Sequence, residues 1–333
     1  MVDVLNGFLV VVVIIALGYA VGRRQLLGTG AVYTLNMFVF FLATPALLIN
    51  FLREADLAAI FGENLAVVAI SSILAGLLGY LGYHFLAGRN IPDSLITMLA
   101  CSYCNGSNLG IPITTHVLDD PTAALPVIIF QVALYGPLTV LLLDVSTRRR
   151  KASEDTEGEG NTDRAPQRGP LLPLVRELVF GVLRNPLILA AAVGVALAIL
   201  HQEYDITPPM IVTEPVSLLA AGAVPAALVA FGLSMSEITV LDRETSPRRS
   251  VWMASLMKSV GHPVIAFLAA TLIFGTSGTA LLSYVVVAAL PTAQNVFTYS
   301  TRFGVNTVLA RDTAVISTLL ALPSITVISL LLG

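Results

Sequence analysis

Two clusters of neutral amide side chains interrupt a chain otherwise dominated by Leu, Val, Ile and Ala. Asn105 and Asn108 lie in Asn105-Gly106-Ser107-Asn108-Leu109-Gly110-Ile111-Pro112, and Thr292, Gln294 and Asn295 in Ala289-Leu290-Pro291-Thr292-Ala293-Gln294-Asn295. Each cluster sits inside an apolar run long enough to cross a bilayer. Glycine weakens a helix, and Pro112 removes an amide donor and crowds the carbonyl of Asn108. Both spans are therefore predicted to break, with Gly110, Pro112 and Pro291 marking the interruptions. A break at bilayer depth exposes helix ends whose N-termini carry free N–H groups and partial positive charge, which suits an anion and above all a carboxylate. The amides add neutral donors, Asn105 and Asn295 being the strongest candidates. The alternative is that these side chains only satisfy broken backbone or bridge helices.

Titratable groups near such a site are few. Lys258 and His262 stand at i, i+4 in one apolar run and could titrate or neutralise an anion; a snorkelling lysine and a packing histidine beside Pro263 is the slightly better reading. Asp144 and Glu237 fall near one set of span ends, and Asp119, Asp120, Glu203 and Glu214 near the other, so a proton relay through mid-span carboxylates lacks its usual parts. A coupling ion, if one is used, is H+ held by such groups or Na+ held by carbonyl, Ser, Thr or Asn oxygens. His84 and His116 lie near span ends and read as interfacial. Cys101-Ser102-Tyr103-Cys104 has redox or metal spacing but no second pair or histidine partner, and small packing residues are the better reading, with no metal site. No zincin, nucleophile-elbow or Walker motif is present, so the chain is expected to be no enzyme, to carry no cofactor and to hold no built-in ATPase.

Composition explains what positions these residues. The chain is 56% hydrophobic and 12% charged with a mean hydropathy of +0.85, against about 25% charged in a soluble domain. The bilayer is the solvent, and a nucleic-acid partner is not expected at a net charge of -3. Ten spans are predicted: Val4 to Val21, Tyr33 to Leu52, Leu65 to Leu86, Ser94 to Leu118, Ala123 to Val145, Leu178 to Leu200, Ile211 to Met235, Val251 to Phe274, Thr279 to Phe303 and Ala310 to Leu332. The first reads as a retained helix, because Asp3 precedes it and Arg23-Arg24 follow. Gly18, Gly76, Gly79, Gly82, Gly194, Gly222 and Gly232 should let helices approach closely.

Odd-numbered connections, with the span ends that adjoin them, hold 16 of the 18 Lys and Arg, which puts them in the cytoplasm and both termini outside. Five spans per half then make the halves inverted copies, residues 1–146 and 177–333, joined by a cytoplasmic linker at 147–176. Its core, Arg148 to Pro170, is charged and Gly-rich and should be disordered. Ala43-Thr44-Pro45-Ala46-Leu47-Leu48-Ile49-Asn50-Phe51 resembles Ala223-Val224-Pro225-Ala226-Ala227-Leu228-Val229-Ala230-Phe231 in the matching span of the other half. The fold class is thus an all-α integral membrane protein of ten helices in a 5+5 inverted repeat, with helices four and nine broken and crossing. Interrupted spans at corresponding positions point to a transporter's substrate site. A sodium or proton antiporter, or an ion-coupled symporter of another solute on the same architecture, is the rival; an antiporter would call for a mid-span carboxylate.

The chain resembles the auxin efflux carrier family, which includes plant auxin carriers and bacterial malonate permeases, within the superfamily of bile-acid-symporter-type (NhaA-like) transporters. The similarity covers Asn105 to Pro112, Ala289 to Asn295, Lys258 to Pro263, and Asp312-Thr313-Ala314-Val315-Ile316-Ser317-Thr318-Leu319-Leu320. It implies a scaffold of helices one, two, six and seven, a transport domain of helices three to five and eight to ten, and an elevator-type motion. It also implies Asn105 as a ligand of the substrate carboxylate and a homodimer formed through the scaffold. The plant pattern has proline at Cys104 and no Asn at Asn108, which favours a microbial metabolite over auxin. The expected substrate is a small organic acid, mono- or dicarboxylate, crossing the plasma membrane.

Overall fold

The computed structural model describes residues 2–54, 62–159, 184–236 and 240–333. All regular structure among them is helical: α1 (Val2–Arg23), α2 (Ala31–Glu54), α3 (Glu63–Leu86), α4 (Ile91–Ser102), α5 (Ile111–Val117), α6 (residues 121–159), α7 (Pro186–Tyr204), α8 (Met210–Ser236), α9 (Arg248–Ile273), α10 (Gly278–Ala288), α11 (Gln294–Phe303) and α12 (Thr307–Leu332). Seven of these, α2, α3, α6, α7, α8, α9 and α12, are long and apolar enough to cross a membrane, and three further apolar stretches, Leu9–Arg23, Ile91–Ser102 and Gly278–Ala288, are shorter. Large exposed side chains such as Leu17, Phe41, Leu77, Leu189, Leu218, Leu268 and Leu330 cover their outer faces, a surface that only lipid solvates cheaply.

Proline shapes these helices without ending them. Four of the five π turns among the described residues, Val39–Ala43, Gly106–Gly110, Gln131–Tyr135 and Met257–Gly261, finish just before Pro45, Pro112, Pro137 or Pro263, the fifth being Gly82–Leu86 at the end of α3. Proline cannot donate to the carbonyl four residues back and collides with it, and a wider turn moves that carbonyl aside. In lipid the freed oxygen needs another donor. At Pro263 that oxygen belongs to Ser259, and the Ser324 hydroxyl of α12 donates to it.

The helices pack as two groups. In one, α1 lies along α8, and α2 contacts both α7 and α8; in the other, α3, α4, α6, α9, α10, α11 and α12 contact one another. α5 packs on α1 and on the turn at 121–124, between the groups. The α1–α8 seam is close because it lacks side chains: a Cβ on Gly18 would lie 2.5 Å from the Val229 carbonyl oxygen, and one on Gly232 would strike the Ile15 carbonyl. Gly76, Gly79 and Gly194 make similar close approaches, whereas Gly82 and Gly222 face open space and contribute no contact. We expect Gly232→Val to destabilise the protein by about 1–3 kcal/mol, the usual cost of overpacking, read as a lower unfolding temperature in detergent. Gly222→Val should leave it unchanged.

The connection between α8 and α9 is fastened to α12. Asp312, fully buried, accepts from the Ser246 hydroxyl (2.7 Å) and the Leu241 N–H (3.2 Å) and pairs with Arg311 (2.8 Å). In the same connection the N–H groups of Glu244 and Thr245 and the Thr245 hydroxyl hold the Asp242 carboxyl below its ordinary pKa. α6 runs on as helix to Glu159, past the point where the sequence predicted a disordered linker. Residues 160–183, with the rest of that linker and the start of the sixth predicted span, lie outside the described residues.

Candidate functional site

The first break comes earlier than Pro112 predicts. α4 stops at Ser102, Tyr103 and Cys104 run extended, Asn105 turns the chain tightly so that the Gly106 N–H donates to the Cys104 oxygen (2.8 Å), and the π turn at Gly106–Gly110 leads into α5. Pro112 is absorbed by that turn, and the chain leaves helical geometry upstream of the glycines. The second break, Ala289 to Ala293, separates α10 from α11 around Pro291.

The breaks meet. Cys104 and Thr292 form an isolated antiparallel bridge, with the Asn105 N–H donating to the Pro291 oxygen (2.8 Å) and the Ala293 N–H to the Tyr103 oxygen (2.9 Å). Cys104 and Thr292 thus occupy the non-hydrogen-bonded position of the ladder, and their own peptide groups point away from it. Buried peptide groups need partners: the Gly106 N–H donates to the Cys104 oxygen (2.8 Å), and three side chains serve further backbone groups at the breaks. The Gln131 amide of α6 accepts from the Cys104 N–H and donates to the Cys104 oxygen, both at 2.8 Å. Ser317 Oγ of α12 accepts from the Thr292 N–H at 3.0 Å. Thr292 Oγ1 donates to the Ala100 oxygen at the end of α4, at 2.6 Å.

Lys258 completes this set. It is fully buried, and its ammonium donates to the Ala288 oxygen at the C-terminal end of α10 (2.7 Å), where helix dipole and free carbonyls favour a cation. The Cys104 thiol of the first break lies near this ammonium. His262 Nδ1 stands 3.1 Å away, while His262 Nε2 is buried with no partner among the described residues. Lys258 therefore does not snorkel to a helix end. No carboxylate among the described residues pairs with it; Asp312, also a buried acid, is taken up by Ser246, Leu241 and Arg311. Cys101 and Cys104 are both free and buried, Cys101 packing against Gly79.

By their partners, the sequence-derived residues fall into two sets. Thr292 is committed to the backbone, and so are Pro291 and the fold-forming Gly110, where a Cβ would lie 2.8 Å from Leu290 Cδ1. The side-chain amides of Asn105, Asn108 and Gln294 make no hydrogen bond with the described residues. Asn105 is nearly buried at 4% exposure, and Asn108 and Gln294 are half-buried. Asn295 is exposed, with the Tyr103 hydroxyl in reach. The first two amides of α11, at Gln294 and Asn295, precede any carbonyl that could accept them within the helix. Beside them Tyr103 stacks on Tyr135 (6.0 Å between centroids) and meets Tyr299 edge-on (6.2 Å). Gln131, Ser317, Tyr103 and Tyr299 were not among the residues the sequence pointed to. Gln131 carried a usable signal, being an uncharged polar residue in an apolar span, where such groups are rare without a partner.

Two comparisons bear on this arrangement. A family model described as "Membrane transport protein" matches residues 3–329. A protein of Rhizobium meliloti (strain 1021), described as "Putative malonate transporter", is 27% identical over 316 residues, covering 94% of this chain and 91% of that protein. The family model spans nearly the whole chain, both breaks included: the chain belongs to the membrane transport protein family, that of the auxin efflux carriers.

Proposed function

We propose that the chain is a secondary active transporter of a small organic acid, of the malonate-like dicarboxylate class, with its substrate held where the two breaks meet. The observation that carries this reading is the division of labour there: Gln131, Ser317, Thr292 and Lys258 satisfy the broken backbone, leaving Asn105, Asn108, Gln294 and Asn295 for a ligand. Uncommitted amides at this depth cost free energy unless something else binds them. Carboxylate oxygens fit, being acceptors that match side-chain amides and the opening N–H groups of α11. Lys258, without a carboxylate of its own, compensates charge, and His262 sits beside it as a group through which H+ coupling could run; Na+ is the other candidate for the coupling ion.

The same reading takes the seven long spans and three shorter apolar stretches as ten crossings in a 5+5 inverted repeat, with α4–α5 and α10–α11 as its crossing broken helices. The packing groups support a scaffold of α1, α2, α7 and α8 and a moving body of α3 to α6 and α9 to α12 in an elevator mechanism. It places the chain in the plasma membrane with both termini outside and the 147–176 connection in the cytoplasm, and pairs two copies through the scaffold. Malonate should raise the unfolding temperature of the purified protein and be taken up by proteoliposomes under an imposed proton or sodium gradient. Stabilisation by neutral solutes, with none by a panel of mono- and dicarboxylates, would overturn the assignment.

A further inference from the structure

α11 differs from every other helix in the membrane part of the chain. At 100° per residue, Thr301, Gln294, Thr298, Arg302, Asn295 and Tyr299 occupy one continuous arc of roughly 160°, and all six are polar. Thr301, Thr298, Arg302 and Asn295 are exposed, and Gln294 and Tyr299 half-buried; Val296 and Ser300, on the opposite side, are buried against the protein. Lipid cannot cover such a face, since unsatisfied polar groups in hydrocarbon cost several kcal/mol each and an arginine about as much by itself. Water must.

The helix also has the length of a half-membrane route. Ten residues rise about 15 Å, half of a hydrocarbon core of about 30 Å. A helix that starts at the break and ends near Arg302 therefore reaches from mid-depth to one membrane surface. The corresponding half-helix of the other break has no such face. Ile111 to Thr114 of α5 are buried, and α5 packs on α1 and the turn at 121–124.

We infer that the polar arc of α11 is the wall of an aqueous route joining the paired breaks to the surface where Arg302 lies, that Arg302 receives the anion at its mouth, and that the structure is open on this side and closed along α5. The role of Arg302 rests on the organic-anion reading above; the route itself rests only on α11. Cysteine accessibility separates the two. In proteoliposomes, Thr298→Cys and Thr301→Cys should be modified by a charged, water-soluble methanethiosulfonate, while Leu268→Cys, on an exposed apolar face of α9, should not. Malonate should slow modification at Thr298→Cys. Neither threonine position reacting, or reacting no faster than Leu268→Cys, overturns the route. Modification that malonate and other small acids leave unslowed keeps the route and removes the anion. Arg302→Gln should raise the apparent KM for malonate several-fold at low ionic strength, with the difference shrinking in high salt because the attraction is screened. An equal effect at both salt levels would remove Arg302 from the mouth.

Discussion

Replacing Gln131 with leucine is expected to lower the unfolding temperature of the detergent-solubilised protein by several degrees, although no ligand need ever touch this residue. Its side-chain amide is the partner of both peptide groups of Cys104 at the first break, with each bond at 2.8 Å. Leucine is similar in size and apolar, so packing is nearly kept while the buried Cys104 N–H loses its partner; the Cys104 oxygen keeps the Gly106 N–H, which donates to it at 2.8 Å. That buried orphan costs about 1–3 kcal/mol. Gln202→Leu, at an exposed position near the end of α7, removes an amide that supports nothing and should leave stability unchanged. If Q131L unfolds at the temperature of the parent protein, the extended segment at Tyr103 and Cys104 is held by something other than this amide.

The two breaks are legible in the sequence because glycine, proline and amides seldom gather inside Leu- and Val-rich runs unless the helix is interrupted there. Asn105 and Pro291 to Ala293, from the two stretches so marked, lie in the pairing, while its other members, Tyr103 and Cys104, stand just upstream of the first stretch. Where the first helix ends is not legible. Proline argues for a break at its own position, but four prolines in this chain, Pro45, Pro112, Pro137 and Pro263, are accommodated by π turns instead. The helix stops at Ser102 for a tertiary reason, the ladder with Pro291 and Ala293, and no local propensity encodes it. Gln131 and Ser317 are hidden for the same reason, since each serves a segment far away in the chain. Gly82 and Gly222 show the converse limit: small residues permit close packing without requiring it. Lys258 reads rather better as a snorkelling side chain in the sequence, and only the fold brings the Ala288 carbonyl to its ammonium. The polar arc of α11 is present in the letters, but it becomes meaningful only once the helix is known to begin at Gln294.

On the proposed reading, stability and binding fall to different side chains within one small volume. Those that close the backbone, Gln131, Ser317, Thr292 and Lys258, come from α6, α12, the second break and α9. Those left over, Asn105, Asn108, Gln294 and Asn295, end the paired segment or follow directly on it. Such a separation is physically reasonable for a site that must load and empty. If the ligand were also needed to satisfy the broken backbone, the empty carrier would carry exposed peptide groups at mid-depth in every return step.

That separation makes opposite predictions for neighbouring residues. Asn105→Ala should leave the ligand-free unfolding temperature near that of the parent protein, because the Asn105 side chain has no hydrogen-bond partner among the described residues. The loss should instead appear in substrate affinity. A hydrogen bond to a charged group contributes about 1.5–3 kcal/mol, and each 1.4 kcal/mol is about tenfold, so the apparent Kd for malonate should weaken by roughly one to two orders of magnitude. Thr292→Val keeps the shape of the side chain and deletes the hydroxyl that donates to the Ala100 oxygen at 2.6 Å. That change should destabilise the protein by about 1–3 kcal/mol, while the folded fraction binds malonate with nearly unchanged affinity. Thermal unfolding and ligand titration of the same two preparations provide the comparison. A reversed result, with N105A unstable but binding normally and T292V stable but weakened in affinity, would exchange the two roles and move the carboxylate from the amides to the threonine of the second break.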